Sequence, residues 1–472
     1  MNAPWIWILL PGLVAVGLVF WPASTRAKAR VGSGVALALA LLAWFLPVDR
    51  LITVVAGRVV LQIEPDWVVL GRALVLPDTL RPWVMGVYLA LALWLWAAPW
   101  ARMHPAFVSW AMVLTVFLVA ALTVRPFLYT ALLVEMAVLA AVPLLAPGDE
   151  PVGEGVVRYV AWTTLGMPFL LLAGSFLTGL ETGSVESPQV IRAAVLLAGG
   201  LLPWMGVVPF HSVAPLLTES THPYRAAFTL TMTTTIIGVF ALGFWEQYTW
   251  LRDTPGTYQV LRLAGMAMFL LGSLWAPFQR HAGRALGYGW IAENGLGLLA
   301  LGLGDGEGVQ AYAALMPARM VLMWALALSL SILGHPEGAW HREALWGRAV
   351  RKPLASGLWV LGWAGLAAWP LTVGLWPRWH LARALAPLGL GWTGAFIAGL
   401  LALTATALRW LRVLLAPPDS TEEAAPARSE TSWDRFVLVA GYALVVAGFF
   451  IPHALNAWVM RAVEHFPHLL GK

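Results

Sequence analysis

Apolar runs near the ~20 residues that a helix needs to cross a bilayer recur about fourteen times along this 472-residue chain, with little sequence between them. They lie at 5–22, 32–48, 82–100, 106–123, 126–146, 157–178, 193–210, 224–245, 258–277, 284–303, 309–333, 354–376, 386–413 and 434–456. Hydrocarbon offers backbone N–H and C=O groups no water, so each run must satisfy them within itself. The chain is therefore read as an all-α polytopic membrane protein with about 14 transmembrane helices, residues 1–472 forming a single membrane domain. The composition, 60% hydrophobic and 11% charged with a mean hydropathy of +0.76, demands the same class.

Several chemistries are excluded at once. Without cysteine there are no disulfides, thiolate metal sites or iron–sulfur ligands. No glycine-rich nucleotide motif stands at a strand–helix turn and no histidines pair within a span, so the chain is expected to hold no cofactor and no metal. The ten histidines mostly flank spans and read as solvated joint residues. The net charge of +5 is scattered between spans, which reads as a topology signal and argues against nucleic acid as a partner. Of the 28 tryptophans, Trp5, Trp7, Trp83, Trp100, Trp245, Trp250 and Trp433 fall at span ends, as an interfacial belt requires.

Two joints are long. Residues 49–80 alternate apolar and polar side chains and predict a short extramembrane β-hairpin, while 414–433, rich in Pro, Ala, Ser and Glu, reads as a flexible loop. Arg and Lys gather in the odd-numbered joints, at Arg26, Lys28 and Arg30, at Arg102, and at Arg342, Arg348, Arg351 and Lys352. By the positive-inside rule both termini are then expected outside, and the membrane is expected to be the inner or plasma membrane of a prokaryotic cell. Pro4 to Phe20 reads as a first span rather than a cleavable leader, and 457–472 as an interfacial segment.

An ionisable side chain within a span is expensive and marks function by default. Glu135 sits mid-span in PFLYTALLVEMAVLAAVPLL, where a carboxyl is either neutral or paired with a cation; both states suit a proton carrier. Glu293, in GYGWIAENGLG, is a weaker signal because the glycines around it also mark close helix packing. Arg319 follows Pro317 by two residues in an apolar run, and Arg378 follows Pro370, Gly374 and Pro377. Helix breaks are expected around 203–215, 317 and 370–378. The first of these carries His211 in PFHSVAPLLTESTHP and leads into a helix with Thr229, Thr231, Thr233, Thr234 and Thr235, able to bond its own backbone, cross to other helices or line a water file.

These segments resemble the antiporter-like membrane subunits shared by respiratory complex I (proton-pumping NADH:quinone oxidoreductase), membrane-bound hydrogenases and Mrp-type sodium/proton antiporters. PFHSVAPLLTESTHP is similar to the Pro-Phe-His-x-Trp-x-Pro-Asp segment that follows the family's broken seventh helix, and Glu135 matches its fifth-helix glutamate. PLTVGLWPRW resembles Pro-x-Thr-x-Gly-Phe-x-Gly-Lys at the broken twelfth helix, and GRALGYGWIAENGLG the Leu-Leu-Ala-Tyr-Ser-Ser-Ile segment. The resemblance implies two inverted five-helix repeats, with halves at 106–246 and 258–385. It implies as partners other membrane-arm subunits, which would carry any iron–sulfur, flavin or quinone chemistry, and as cargo protons, with Na⁺ the other cation.

The departures concern the charge relay. Aligned on His211 and Pro223, the lysine that pairs with the fifth-helix glutamate falls at Trp204 and the central eighth-helix lysine at Thr233; the eleventh- and twelfth-helix positions fall at Arg319 and Arg378, and Leu216 replaces the aspartate. Buried lysine can release a proton, whereas arginine in effect cannot. One reading is a proton-translocating membrane-arm subunit of a redox-driven complex in which Glu135, His211, Thr233, Arg319 and Arg378 form an altered pathway. The alternatives are a structural, non-pumping paralogue in which Glu135 pairs with Arg225 or another subunit, an Mrp-type cation/proton antiporter subunit, and an unrelated solute transporter.

Overall fold

The computed structural model describes residues 2–54, 59–69, 71–148, 150–177, 187–335, 338–417 and 429–471. After a π-turn at Trp5–Leu9 the helices run α1 Leu10–Phe20, α2 Thr25–Phe45, α3 Arg81–Ala97, α4 Pro105–Thr123, α5 Leu128–Leu145, α6 Glu154–Leu177 and α7 Pro188–Trp204. They continue as α8 Val213–Ser220, α9 Pro223–Gln247, α10 Thr249–Arg252, α11 Pro255–Trp275, α12 Ala282–Leu301 and α13 Gly306–Gly334. The chain ends with α14 Arg348–Arg351, α15 Pro353–Leu366, α16 Leu375–Leu385, α17 Leu390–Leu415, α18 Ser432–Phe450 and α19 Pro452–Val463. Among the described residues ten helices are long and apolar enough to cross a membrane, and Trp5–Phe20, Pro188–Trp204 and Pro353–Leu366 are shorter apolar helices. α12 is long enough at 20 residues but less apolar, and nearly every one of its side chains is buried in protein rather than facing lipid. The protein is an all-α membrane protein with a small β-element.

That element is richer than the single hairpin expected for 49–80. β1 (Leu51–Val54) pairs antiparallel with β2 (Val59–Gln62), and β3 (Asp66–Val69) with β4 (Arg72–Val75). β4 also pairs with β5 (Val124–Arg125), from the joint between α4 and α5, to give a three-stranded sheet. Most of the loop expected at 414–433 (418–428) lies outside the described residues.

Two of the three expected breaks are present. α7 ends at Trp204, where Pro203, a left-handed Gly206 (φ 59°) and Pro209 converge, and the chain resumes helix at Phe210–Ser212 and α8. The second interrupts α15 and α16 over 367–374, where Ala368 and Leu371 both take positive φ around Pro370. The break expected at 317 is absent, since α13 runs unbroken through Pro317 for 29 residues. A lone proline deletes one N–H from a long ladder, and without water to compete for the remaining backbone groups the helix continues. The C-terminus of α13 is capped by Lys352 and Arg348. Lys352 Nζ donates to the carbonyl of Ile332 at 2.7 Å, and Arg348 to that of Leu333 at 3.0 Å.

Polar contacts between joints sort onto two faces. On one, Arg102 meets Asp434 (3.1 Å), Arg284 meets Glu219 (3.4 Å) and Arg225 meets Glu150 (2.7 Å). On the other, Asn2 donates to the carbonyl of Asp66 (2.6 Å), Thr79 bonds His465 (2.8 Å) and the His468 N–H donates to Glu246 (3.0 Å). Both termini therefore lie on the same face, opposite the arginine-rich joints.

Candidate functional site

The first cluster is organised by α6. Its consecutive residues Thr163 and Thr164 face different neighbours: the Thr164 hydroxyl donates to Glu135 Oε1 on α5 at 2.8 Å, while the Thr163 carbonyl accepts the indole N–H of Trp204 on α7, also at 2.8 Å. Trp204 comes this close because Gly166 has no side chain; a Cβ there would stand 2.5 Å from the indole nitrogen. Trp204 is thus a neutral donor that fastens α7 to α6. Among the described residues Glu135 has one hydroxyl partner, and its Oε2 is buried without one. Arg225 does not reach it. That guanidinium holds Glu150 at 2.7 and 3.0 Å and the Leu145 carbonyl at 2.9 Å, so the Glu135–Arg225 pairing is replaced by one at the end of the span.

One turn before Thr163, Tyr159 lies within range of the Glu135 charge and approaches Thr233 of α9 without completing a hydrogen bond. Both hydroxyls line a cavity of about 20 Å³ between α6, the α7–α8 break, α9 and α12. His211 and Trp290 line it too. Tyr159 Oη, His211 Nδ1, Thr233 Oγ1 and Trp290 Nε1 are all buried without a protein partner among the described residues. Buried polar groups rarely stay unpaired, and one water needs about 10–15 Å³ and two to four polar partners. The cavity meets both requirements.

The second cluster is charged. Glu293 (α12) and Arg378 (α16) form a direct ion pair with both side chains fully buried. Arg378 also donates to the Gly374 carbonyl at 2.9 Å, across the break that precedes α16. Arg319 (α13), 1% exposed, donates to the backbone carbonyl of Glu293 at 2.8 Å, and its guanidinium lies against Gly297, where a Cβ would be 2.9 Å away. Arg319 is thus held by a carbonyl on the neighbouring helix rather than by one beside Pro317. Two guanidinium cations face one carboxylate here, so the cluster carries a net positive charge.

α12 joins the two clusters. Trp290, Glu293 and Asn294 fall at i, i+3 and i+4, on one side of the helix. Trp290 opens onto the first cavity, Glu293 anchors the second cluster, and Asn294 donates to the carbonyl of Met205 in the α7–α8 break. Glu135, His211 and Thr233 thus gather at the first cluster, and Arg319 and Arg378 at the second.

Residues 159–406, just over half of the chain, match the family described as NADH:quinone oxidoreductase/Mrp antiporter, TM. The chain belongs to this family. It is 27% identical over 266 residues to the NADH-quinone oxidoreductase subunit N of Desulforudis audaxviator (strain MP104C), a match spanning 52% of each chain. In fold it is similar to a chain of the Mrp complex from Dietzia sp. DQ12-45-1b (TM-score 0.79, 18% identity, 98% of both chains). It is similar also to a chain of respiratory complex I from Thermus thermophilus with bound NADH (TM-score 0.77, 16% identity, 99% of both chains). The antiporter-like fold therefore extends over nearly the whole chain, although the curated relative is matched over about half its length.

For this family member, sequence reasoning underrated Glu293 and missed Tyr159, Thr164 and Trp290. Glu293 was legible as an in-span carboxylate, but its glycine-rich surroundings masked it. Those glycines let Arg319 approach α12. Nothing in the sequence singled out Tyr159 or Trp290. The histidine reading also changes: His281 is buried and caps the N-terminus of α12, its Nδ1 accepting the N–H of Arg284 at 3.3 Å, and His222 caps α9 in the same way. Among the described residues no group of three metal-ligating side chains occurs.

Proposed function

We propose that the chain is a proton-translocating membrane-arm subunit of a multisubunit, redox-driven complex, spanning the membrane fourteen times with both termini outside. The two inverted halves, 106–246 and 258–385, are supported by one correspondence. The second helix of each half, α5 and α12, carries the in-span glutamate, and the fourth helix of each, α7–α8 and α15–α16, is interrupted. Subunit-type partners, and any flavin, iron–sulfur or quinone chemistry, belong to other chains of the assembly.

The observation that carries this reading is the cavity with four unpartnered polar groups beside Glu135. A proton on Glu135 would pass to the Tyr159 hydroxyl and then to a water held by Thr233 and His211. Continuation from there to the unpaired oxygen of Glu293 on α12 requires further water between the two clusters. Hydroxyls and water can relay a proton without the ammonium groups that this chain lacks at Trp204 and Thr233. Arg319 and Arg378 keep their charge and set the field at Glu293 rather than carrying the proton.

A second reading, a structural non-pumping paralogue, is favoured by the closed Glu293–Arg378 pair, which resembles a permanent strut. Glu135→Gln in the complex purified from native membranes and reconstituted into vesicles separates the two. A fall in acidification of roughly tenfold or more with subunit composition unchanged supports the relay, whereas unchanged acidification removes it. Mass spectrometry of the same preparation tests the assembly: iron–sulfur or quinone-binding subunits support a redox-driven complex, and antiporter subunits alone support cation exchange.

A further inference from the structure

A groove of about 710 Å³ lies between α2 and α3 on one side and α18 and α19 on the other, with Met316, Pro317 and Val321 of α13 at its floor. All its lining side chains are apolar or glycine except Arg30, Ser33 and Thr235. Along α2 it is lined from Arg30 to Trp44, about 21 Å at 1.5 Å per residue. That is more than half of the ~30 Å hydrocarbon core, the depth of one leaflet. At its Arg30 end the groove meets a second recess of about 220 Å³, which shares Arg30, Ser33 and Trp96 and adds Arg26, Trp100 and Trp433.

Charge is segregated along this path. Arg26 and Arg30, one turn apart on α2, are exposed at the mouth and, among the described residues, neither has a carboxylate partner. The neighbouring Asp434 is already held by Arg102. Trp96, Trp100 and Trp433 ring the mouth at the level where interfacial aromatics sit. Below it nothing polar occurs until the Thr235 hydroxyl, which is buried without a partner. A pair of free guanidiniums above a long apolar channel matches a phosphate above an acyl chain.

We infer that this groove binds one anionic phospholipid of the leaflet on the arginine-rich face, its phosphate on Arg26 and Arg30 and an acyl chain extending along α2 to Pro317. The chain then covers Thr235 and keeps lipid-side water from entering between α9 and α13 near Arg319. A neutral quinone would use the apolar channel but not the arginines. A transmembrane helix of another subunit would use neither selectively.

Native mass spectrometry of the purified full-length chain, titrated with phosphatidylglycerol, phosphatidylcholine or ubiquinone, tests this. Phosphatidylglycerol is expected to be retained preferentially, with retention falling about tenfold or more in Arg26→Gln/Arg30→Gln. Gly34→Phe provides the second variant, because Gly34 lines the groove and a Cβ there meets nothing within 4 Å. It should abolish retention while leaving the melting temperature unchanged. Equal retention of the two phospholipids, retention insensitive to both variants, displacement by ubiquinone, or protection of Gly34→Cys from labelling that the delipidated chain gains only on assembly with a partner subunit would each overturn the inference.

Discussion

The carboxylate of Glu293 on α12 is closed onto the guanidinium of Arg378 on α16, 85 residues later in the chain, with both side chains fully buried. Arg319 reaches only the backbone carbonyl of the same glutamate. The carboxylate therefore compensates two cations, and the consequences of removing each partner are unequal. Breaking a buried pair costs about 3–5 kcal/mol because a charge is left without compensation. Glu293→Gln strands two guanidiniums and is expected to lower thermal stability more than Arg378→Gln, which leaves Glu293 beside Arg319. The double variant should recover part of the loss, measurable as a positive coupling in a double-mutant cycle on the detergent-solubilised protein.

Trp204 lies over Gly166, with its indole N–H on the Thr163 carbonyl. Gly166→Ala puts a methyl 2.5 Å from that nitrogen, so the indole must swing away. The expected cost is about 1–3 kcal/mol from overpacking, whereas Trp204→Phe loses the hydrogen bond, about 1 kcal/mol, and in addition leaves a cavity where the larger, buried ring packed. Both variants should lower the denaturation midpoint, and Gly166→Ala should also free the chain at the α7–α8 break to faster proteolysis.

Much of this was legible in the sequence, and the misses have physical causes. Length and apolarity located the spans, and Pro203 with Pro209, or Pro370 with Gly374, located the breaks because several helix-breaking residues act together there. Pro317 misled because a lone proline removes one bond from a ladder that hydrocarbon protects. Arg378 was legible as the residue just beyond a helix break, but its partner lies in a different helix, and only the packing of α12 and α16 on α13 brings the two together. The Glu135–Arg225 pairing failed for a similar reason: Glu150 at the span end reaches Arg225 without either charge entering hydrocarbon. The cavity at Tyr159, Thr233, His211 and Trp290 draws on four separate segments, and no single one of them has a pattern that would reveal it.

That cavity gives a direct comparison between two threonines of α9. Thr231 and Thr233 are both buried with hydroxyls lacking a partner, but only Thr233 lines the cavity. Thr233→Val is expected to lower proton translocation by roughly tenfold, and Thr231→Val to leave it unchanged. Proteoliposome acidification by the assembled complex reads both. Equal effects of the two substitutions would place the water elsewhere.

His281 makes the stability of the arginine-rich face dependent on pH. It stands just before α12, 7% exposed, with the His341 ring 4.7 Å from its own. Burial, then the neighbouring His341 and Arg284, push its pKa down from 6.5 to about 4. Protonation would also cost its Nδ1 the bond from the Arg284 N–H and place a cation at a helix N-terminus, where the macrodipole disfavours it. The unfolded chain takes up this proton below about pH 6.5, whereas the folded chain resists it down to about pH 4. Between those values the unfolded state binds more protons, so the contribution of His281 is complete above pH 6.5 and is lost as the pH falls toward 4. Asparagine caps a helix without titrating. His281→Asn should therefore match the wild type at pH 7.5 and lose less stability on acidification to pH 5, seen as a smaller drop in melting temperature between the two buffers.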